Sequence, residues 1–477
     1  MRGVWRVEDV RAAEAALMAD LPEGLLMQRA ATGLATRIAT MLRETGGVYG
    51  SHVTLLVGPG DNGGDALFAG AQLARRGARV TAIEIFPGKV HPEGMKEFSE
   101  SGGRVSEEMP RRNDLVVDGI FGIGGRPGLP PRAAQLLSHV PLVPTVAVDA
   151  PSGIEMDTGG VLSQTVQADV TVTFGCLKPG IVVGAGAAQS GLVECIDIGL
   201  GPYLPERPYA RIPDLDDIVS WWPKPRPHDD KYTRGVLGVC AGSYRYPGAG
   251  ELAVAGALAG PAGYIRYAGT ASRHIRYSYS EVVTKDRVAD AGTVTAWVAG
   301  PGMGTDLSAE SQLESAMAEP VPMCLDADAL TLVADDHSIL EYRQAPSVVT
   351  PHDREYSRLA GRAPGHDRIT DALDLAIRLG CVVLLKGYRT VIASPTGNVF
   401  LNPTGDPALA TAGSGDVLAG LLGAMLAAGV PTERAAVAAA FVHGLAGKAA
   451  AERGPVTAMG VANELPKVIG RLISSVG

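Results

Sequence analysis

The sequence predicts an α/β protein built as two domains, and three observations predict it. Short runs rich in Val, Ile and Leu recur along the whole chain, as strands buried in a parallel sheet do. Each run ends in Gly, Asp, Pro or Lys and is followed by a helical pattern, so the chemistry is expected at the strands' carboxyl ends. A chain of 477 residues also exceeds one ordinary core and suits two domains of roughly 200 to 250 residues.

In chain order, the first half offers strands at His52–Gly58, Arg79–Phe86, Leu115–Gly119, Thr145–Asp149, Val170–Phe174 and Leu192–Ile198. The second half offers Val236–Ala241, Trp297–Gly300, Met323–Asp326, Ser347–Thr350, Val382–Lys386 and Thr390–Ala393. All read as buried parallel strands. Between the halves, Gly199 to Pro227 carries prolines at 202, 205, 208, 213, 223, 225 and 227 and reads as a linker or surface strap. The expected domains are therefore 1–212 and 213–477.

Composition narrows the class of function. Apolar residues make up 46% and charged residues 19%, enough core material for a globular protein. Net charge is −9 with no Lys/Arg run, which argues against nucleic acid or an anionic membrane as partner. The longest uncharged stretch, Val417 to Val430, is shorter than the roughly 18 apolar residues of a membrane span. The first residues carry Glu8, Asp9, Arg11 and Glu14 and do not read as a signal peptide. Five cysteines lie scattered in strand-like runs without CxxC spacing, as buried thiols in a reducing cytoplasm would.

The most informative segment is Thr411-Ala412-Gly413-Ser414-Gly415-Asp416, which feeds into an apolar helix pattern. A turn of small residues at a helix start aims unpaired N–H groups and the positive helix end at one point, which suits phosphate. Asp416 would repel a passively bound phosphate, but it fits a base that deprotonates a hydroxyl about to attack one.

The first half carries its own glycine turn, Gly58-Pro59-Gly60-Asp61-Asn62-Gly63-Gly64-Asp65. It satisfies GxGxxG, but Pro59 stiffens the turn, and Asp61 and Asp65 bring negative charge where a pyrophosphate would sit, so an ordinary dehydrogenase fingerprint is disfavoured. Downstream, Asp118-Gly119-Ile120-Phe121-Gly122-Ile123-Gly124-Gly125 and Val148-Asp149-Ala150-Pro151-Ser152-Gly153 each leave a strand's carboxyl end. Oxygens of Asn62, Asp118 and Ser152 could converge there on a hard cation.

With Leu26-Met27-Gln28-Arg29-Ala30, these blocks resemble the NAD(P)H-hydrate epimerase domain, also called the YjeF N-terminal domain. The resemblance implies a Rossmann-like three-layer αβα fold and a potassium ion held by Asn62, Asp118 and Ser152. It implies hydrated nicotinamide nucleotide bound by Asp61, Asn62, Gly63, Gly64 and Asp65. Gly122, Ile123, Gly124, Gly125, Arg126, Pro127, Gly128 and Asp149 complete that set, with Asp149 acting on the hydrated ring. Two positions depart from the family's Asn-Asn-Gly-Gly-Asp-Gly: Asp61 adds a charge and Ala66 a methyl group. Lys178 matches a family lysine but has no assigned role.

In the second half, loops follow successive strands at Ala241–Gly250, Gly300–Gly304, Asp326–Leu330, Thr350–His352 and Lys386–Thr390, before the Thr411–Asp416 segment. A small-residue helix is expected to run through Tyr264, and His443 is expected to pack within the apolar helix Ala435–Leu445. The order of loops resembles the ribokinase-like αβα fold and, more closely, the NAD(P)H-hydrate dehydratase family. The resemblance implies that Ala249, Gly302, His352 and Asp416 contact the hydrated nucleotide. It implies that Lys386, Gly387, Tyr388, Arg389, Thr390 and Gly415 hold the adenine nucleotide, with Asp416 catalytic. Asp353-Arg354-Glu355 departs from the family's Pro-Gly after the histidine.

The expected function is repair of NAD(P)H hydrate by R/S epimerisation and ADP-dependent dehydration. ADP serves as co-substrate, K⁺ sits in the first domain, Mg²⁺ in the second, and the protein is a cytoplasmic homo-oligomer without nucleic-acid or membrane partners. The alternatives are a ribokinase-class small-molecule kinase and a first domain that only binds.

Overall fold

The computed structural model describes all residues except 139–142, 342 and 475–477. The chain forms two compact units, residues 3–210 and residues 211–477 with the first two residues.

In the first unit, seven parallel strands lie in the order Arg104–Val105, Arg79–Glu84, His52–Val57, Leu115–Gly119, Thr145–Val148, Val170–Phe174 and Leu192–Ile196. From His52–Val57 the chain steps toward one edge, then returns to the other side at Leu115–Gly119. That reversal opens a crevice beyond the carboxyl ends of these two strands. Helix Leu25–Thr45 buries Ala31, Leu34, Ile38 and Leu42 along one stripe, and each leucine or isoleucine contributes about 1.5–3 kcal/mol as an upper estimate. The edge strand Leu192–Ile196 is partly exposed rather than buried, because only one neighbour and one face cover it.

In the second unit, Val236–Cys240 lies between Tyr264–Ala268 and Ala296–Ala299, and parallel pairing continues through Met323–Leu325, Ser347–Val349 and Val382–Leu385. Val391–Ala393 then pairs antiparallel with Val382–Leu385 and with Val399–Leu401, so the expectation of parallel strands throughout is corrected at this end. The short Lys386–Thr390 connection explains this, since a parallel return needs a crossover of a dozen residues or so.

Two further expectations are corrected. The small-residue helix is Pro247–Ala259, and Tyr264 opens a strand, because Gly260 and Pro261 interrupt the helix. Gly199–Pro227 is not wholly a linker: it contains strand Ala210–Ile212 and helix Leu215–Trp221. Asp214 and Asp217 cap that helix reciprocally, and Ile218, Val219 and Trp222 enter the second unit's core. Proline density marked the ends of these elements rather than their absence.

Helix Ser414–Ala427 packs against Pro247–Ala259 at backbone distance. A Cβ on Gly256 would lie 2.0 Å from the Val417 carbonyl oxygen, and one on Gly420 1.9 Å from that of Ala253. This contact sets the start of Ser414–Ala427 beside the loop before Pro247. Among the described residues no helix is long and apolar enough to cross a membrane.

Candidate active sites

The segment Asp61–Asp65 is the first turn of helix Asp61–Arg75, not a loop, and Gly60 at φ +92° caps it. A Cβ on Gly58 would lie 1.8 Å from the Ile120 carbonyl oxygen, and one on Gly63 2.2 Å from that of Gly58, so only glycine fits either position. The Ala66 methyl is fully buried against Gly119, where an added Cβ would lie only 2.6 Å away. The departure at Ala66 therefore fills core space.

Asp118 and Ser152 meet directly. Ser152 Oγ donates to Asp118 Oδ1 at 2.7 Å, and the Ser152 backbone N–H to Oδ2 at 2.7 Å. Phe121 N–H donates to Ser152 Oγ, and a Cβ on Gly122 would lie 2.8 Å from Asn62 Oδ1, so all three predicted cation ligands surround the Phe121–Gly122 turn. The Asn62 amide nitrogen is buried without a partner. Burial pushes the Asp118 carboxyl up to about 6 against the hydrogen bonds from Ser152 and Ile120. An orphaned amide, which presents oxygen when flipped, beside a buried carboxylate fits a hard cation.

Asp149 sits at φ +64° and is buried. Its Oδ1 accepts from Lys178 Nζ at 2.7 Å and Thr173 Oγ1 at 2.8 Å. Lys178, 1% exposed, also donates to Thr173 Oγ1 and the Phe174 carbonyl. Burial works against its charge, yet the Asp149 carboxylate leaves its pKa raised. Lys178 thus holds Asp149 in place. Asp65 is buried with Oδ1 unpartnered, and burial, then Asp149, Asp61 and Glu14, raise its pKa well above the ordinary value.

Sequence reasoning missed Glu14. Burial, together with Asp149 and Asp61 and against the pull of Lys178, raises its pKa, but nothing local marks residue 14 of an amphipathic helix as a site residue. In the Gly122–Gly128 loop, Gly124 lies against the Arg11 guanidinium, Gly128 donates to the Gly153 carbonyl, and Arg126 and Pro127 are exposed.

In the second unit a cavity of about 930 Å³ is lined by His352, Asp326, Glu355, Lys386, Gly387, Tyr388, Thr390, Gly415, Asp416 and His443, among others. Gly413 at φ +85° caps helix Ser414–Ala427, so Ser414, Gly415 and Asp416 are its first three residues. Ser414 N–H donates to the Thr411 carbonyl and Asp416 N–H to that of Gly413, which leaves the Gly415 N–H and the helix dipole at the cavity. Lys386 Nζ donates to Asp326 Oδ1 at 2.7 Å and lies 3.6 Å from Glu355 Oε2. Burial, together with Asp326 and against the pull of Lys386, pushes Asp416 up to about 7, suited to a base near neutral pH. His443 Nε2 meets the Ser414 carbonyl at 2.9 Å, and burial lowers its pKa to about 4, so a neutral ring donates there. It is packed, as expected, but it also braces the turn.

His352 caps helix Asp353–Ala360. Its Nδ1 accepts from Arg354 and Glu355 N–H, while Glu355 Oε2 accepts from His352 N–H. The departure at Asp353–Glu355 thus starts a helix directly after the histidine. Arg389 donates to the Pro403 carbonyl, which fixes the Lys386–Thr390 turn. Ala249 and Gly302 lie together outside the residues lining the cavity, with a Cβ on Gly302 only 2.6 Å from that of Ala249. Leu252, a turn beyond Ala249, meets Gly413, and Asp328, which accepts from Gly304 N–H, influences Asp416. Asp326 and Glu355 were not predicted as site residues. The Asp-Ala-Asp run was visible, but its pairing with Lys386, sixty residues on, was not.

A helix start, a lysine and a poised carboxylate around a cavity of this size define a phosphoryl-transfer enzyme acting on a nucleotide. Residues 23–180 match the family described as YjeF-related protein N-terminus, and residues 237–468 the NAD(P)H-hydrate dehydratase family. The bifunctional NAD(P)H-hydrate repair enzyme Nnr of Mycobacterium tuberculosis is 47% identical over 441 residues, covering 91% of each chain. Its namesake in Mycobacterium leprae is 45% identical over 480 residues, covering 100% of this chain and 98% of its own. The chain belongs to the family of bifunctional NAD(P)H-hydrate repair enzymes. Among solved structures, an ADP/ATP-dependent NAD(P)H-hydrate dehydratase from Bacillus subtilis, co-crystallised with ATP/Mg²⁺, is 27% identical. It covers 55% of this chain and 99% of its own, with TM-score 0.50. A ribokinase-like protein from Enterococcus faecalis, at 23% identity over 55% of this chain and 96% of its own, shares the fold with TM-score 0.50.

Proposed function

We propose that this chain repairs hydrated NADH and NADPH, with residues 1–212 interconverting the R and S hydrates and residues 213–477 dehydrating the S form at the expense of ADP. The observation that carries the dehydratase reading is Asp416 in the first turn of Ser414–Ala427, facing the same cavity as Lys386.

Asp416 takes the proton of the ring's six-position hydroxyl, and that oxygen attacks the terminal phosphorus of ADP. The bond from phosphorus to the bridging oxygen breaks and AMP leaves. The ring nitrogen's lone pair then expels the new phosphate ester as inorganic phosphate, and loss of the adjacent carbon-bound proton restores the dihydropyridine. Lys386 and the Gly415 N–H hold the transferred phosphoryl group, and the cavity-lining Lys386, Gly387, Tyr388, Thr390 and Gly415 hold the nucleotide with Arg389, whose guanidinium braces their turn. His352 and Asp416, with Ala249 and Gly302, are assigned to the hydrated nucleotide. Mg²⁺ neutralises phosphate charge when bound. Asp326 and Glu355 suit it, because this ion takes one or two carboxylates and completes its shell with phosphate and water.

In the first unit, Asp149 is assigned to the hydrated ring, which rests on the Asp61–Asp65 turn and the Gly122–Gly128 loop. Asn62, Asp118 and Ser152 are assigned to K⁺, supported by the orphaned Asn62 amide. The same reading includes a cytoplasmic homo-oligomer, the compartment supported by free buried thiols at Cys176, Cys240, Cys324 and Cys381.

The test is incubation with ADP, Mg²⁺ and S-NADH hydrate. Dihydropyridine absorbance returns with one AMP and one phosphate per ring. Accumulation of a stable phosphorylated product without that absorbance would instead mark a kinase.

A further inference from the structure

The loop that closes strand Val236–Cys240 carries Tyr244, Arg245 and Tyr246 to the surface. Tyr244 is 88% and Tyr246 51% exposed, unusual for aromatic rings beside a site. The loop is nevertheless held firmly. Gly242 N–H donates to the Pro301 carbonyl at 2.6 Å, Tyr246 N–H meets the Ser243 carbonyl and Oγ, and Pro247 starts helix Pro247–Ala259. The exposed rings therefore project from an anchored turn. The Arg245 guanidinium stacks over the Tyr246 ring at 5.7 Å, and among the described residues no carboxylate pairs with it. A Cβ on Gly302 would lie 3.1 Å from Tyr246 Cβ, so the loop abuts the Ala249–Gly302 pair. Two aromatic faces and an unpaired guanidinium thus stand beside the residues assigned to the hydrated nucleotide, away from the Lys386–Thr390 turn assigned to ADP.

We infer that Tyr244-Arg245-Tyr246 binds the adenosine half of the dinucleotide substrate, the tyrosines stacking on adenine and Arg245 pairing with the 2′-phosphate of the NADPH form. The inference rests on the dehydratase reading, which puts the nicotinamide end of the substrate at Asp416. A dinucleotide held there by one end must run outward with the other, and Ala249 and Gly302 mark one way out. Stacking on exposed tyrosine is the usual means of holding a base without reading its edge. A guanidinium free of carboxylates and resting on a ring is organised for a phosphate, which it meets with two parallel hydrogen bonds. Hydrated NADPH is then the preferred dinucleotide, although the reacting ring is the same in both.

The experiment compares wild type, Tyr244→Ala and Arg245→Ala in ADP-dependent dehydration of S-NADPH hydrate, S-NADH hydrate and hydrated reduced nicotinamide mononucleotide. The binding of intact NADPH and NADH is followed in parallel by their fluorescence. Both replaced side chains are exposed, so the variants keep the fold. Arg245→Ala lowers kcat/KM for the NADPH hydrate about tenfold more than for the NADH hydrate, and weakens NADPH binding by the same factor. Tyr244→Ala lowers kcat/KM about tenfold for both dinucleotides and far less for the mononucleotide.

Equal effects of either variant on all three substrates would overturn the inference, as would a change confined to the KM for ADP. A wild type that dehydrates none of the three refutes the dehydratase reading. Fluorescence then decides the loop separately: loss of NADPH binding in Arg245→Ala supports it, and unchanged binding refutes it.

Discussion

Two helix starts in this molecule use the same device for different ends. Gly60 precedes helix Asp61–Arg75 and Gly413 precedes Ser414–Ala427, each with positive φ, each placing an aspartate in the first turn. Both lie at strand ends of largely parallel sheets. They differ in the cation nearby. At the second start, Lys386 is partly exposed, shared by Asp326 and Glu355, and lines a cavity of about 930 Å³ with Asp416. At the first, Lys178 is fully buried and committed to Asp149, while Asp65 Oδ1 is buried without a partner. A lysine open to the cavity can meet transferred phosphate. A sealed one can only set the position and charge of a carboxylate. The local motif thus supplies a helix end suited to an anion, and distant strands decide whether the cation beside it opens onto a cavity or is sealed against a carboxylate.

The comparison breaks most sharply at Asp416. Asp416→Asn lowers the dehydration rate by about 10²–10⁴-fold while calorimetric ADP affinity stays within a few-fold, since the amide keeps the shape and loses the base. Near-normal turnover would remove Asp416 from the mechanism.

Lys178→Met is next. It leaves Asp149 buried without its cation, so denaturant unfolding of the first unit shows a loss of about 3–5 kcal/mol and R/S equilibration stops. Asp149→Asn added to it should recover part of the stability but none of the epimerisation. Recovery of activity would show that Asp149 acts only as a structural partner.

His443→Ala removes the donor to the Ser414 carbonyl and weakens the turn, raising the KM for ADP by about 1–3 kcal/mol worth of binding without moving the pH profile. That profile is itself a test. Dehydration kcat/KM rises with pH through about 7 as Asp416 loses its proton, then levels off. Stability runs the other way. The folded chain holds the Asp416 proton more tightly than the unfolded one, so stability falls from about pH 4 to about 7 and stays low above. Asp416→Asn therefore melts higher than the parent at about pH 8, and the gap closes toward about pH 4.

The smallest expected effect is that of Asp61→Asn, which removes one exposed charge beside the helix start and strengthens binding of hydrated NADPH to the first unit by about 0.5–1 kcal/mol, read as a lower KM for epimerisation. No change in KM would mean that Asp61 lies away from the phosphates.

Much of this was legible in the chain. Gly58 after its strand, Gly63 in the helix's first turn and Gly413 at its helix cap cannot be replaced without steric clash, so they stand out in sequence as they do in space. Asp416 was legible because a carboxylate at an anion-binding helix start needs a chemical reason. The prolines of Gly199–Pro227 misled, because a proline tolerated at an element's edge looks the same as one in a linker.

By itself the sequence determined the alternation of strands and helices, the two helix starts and the carboxylate at each, because these depend on local sterics and hydrogen bonding. Only the tertiary structure decided that Lys386 meets Asp326, that Lys178 closes on Asp149, that Glu14 joins the first site and that His443 braces the second. Those outcomes depend on which strands lie side by side and how deeply a charge is buried. No stretch of chain shorter than the sheet itself contains that information.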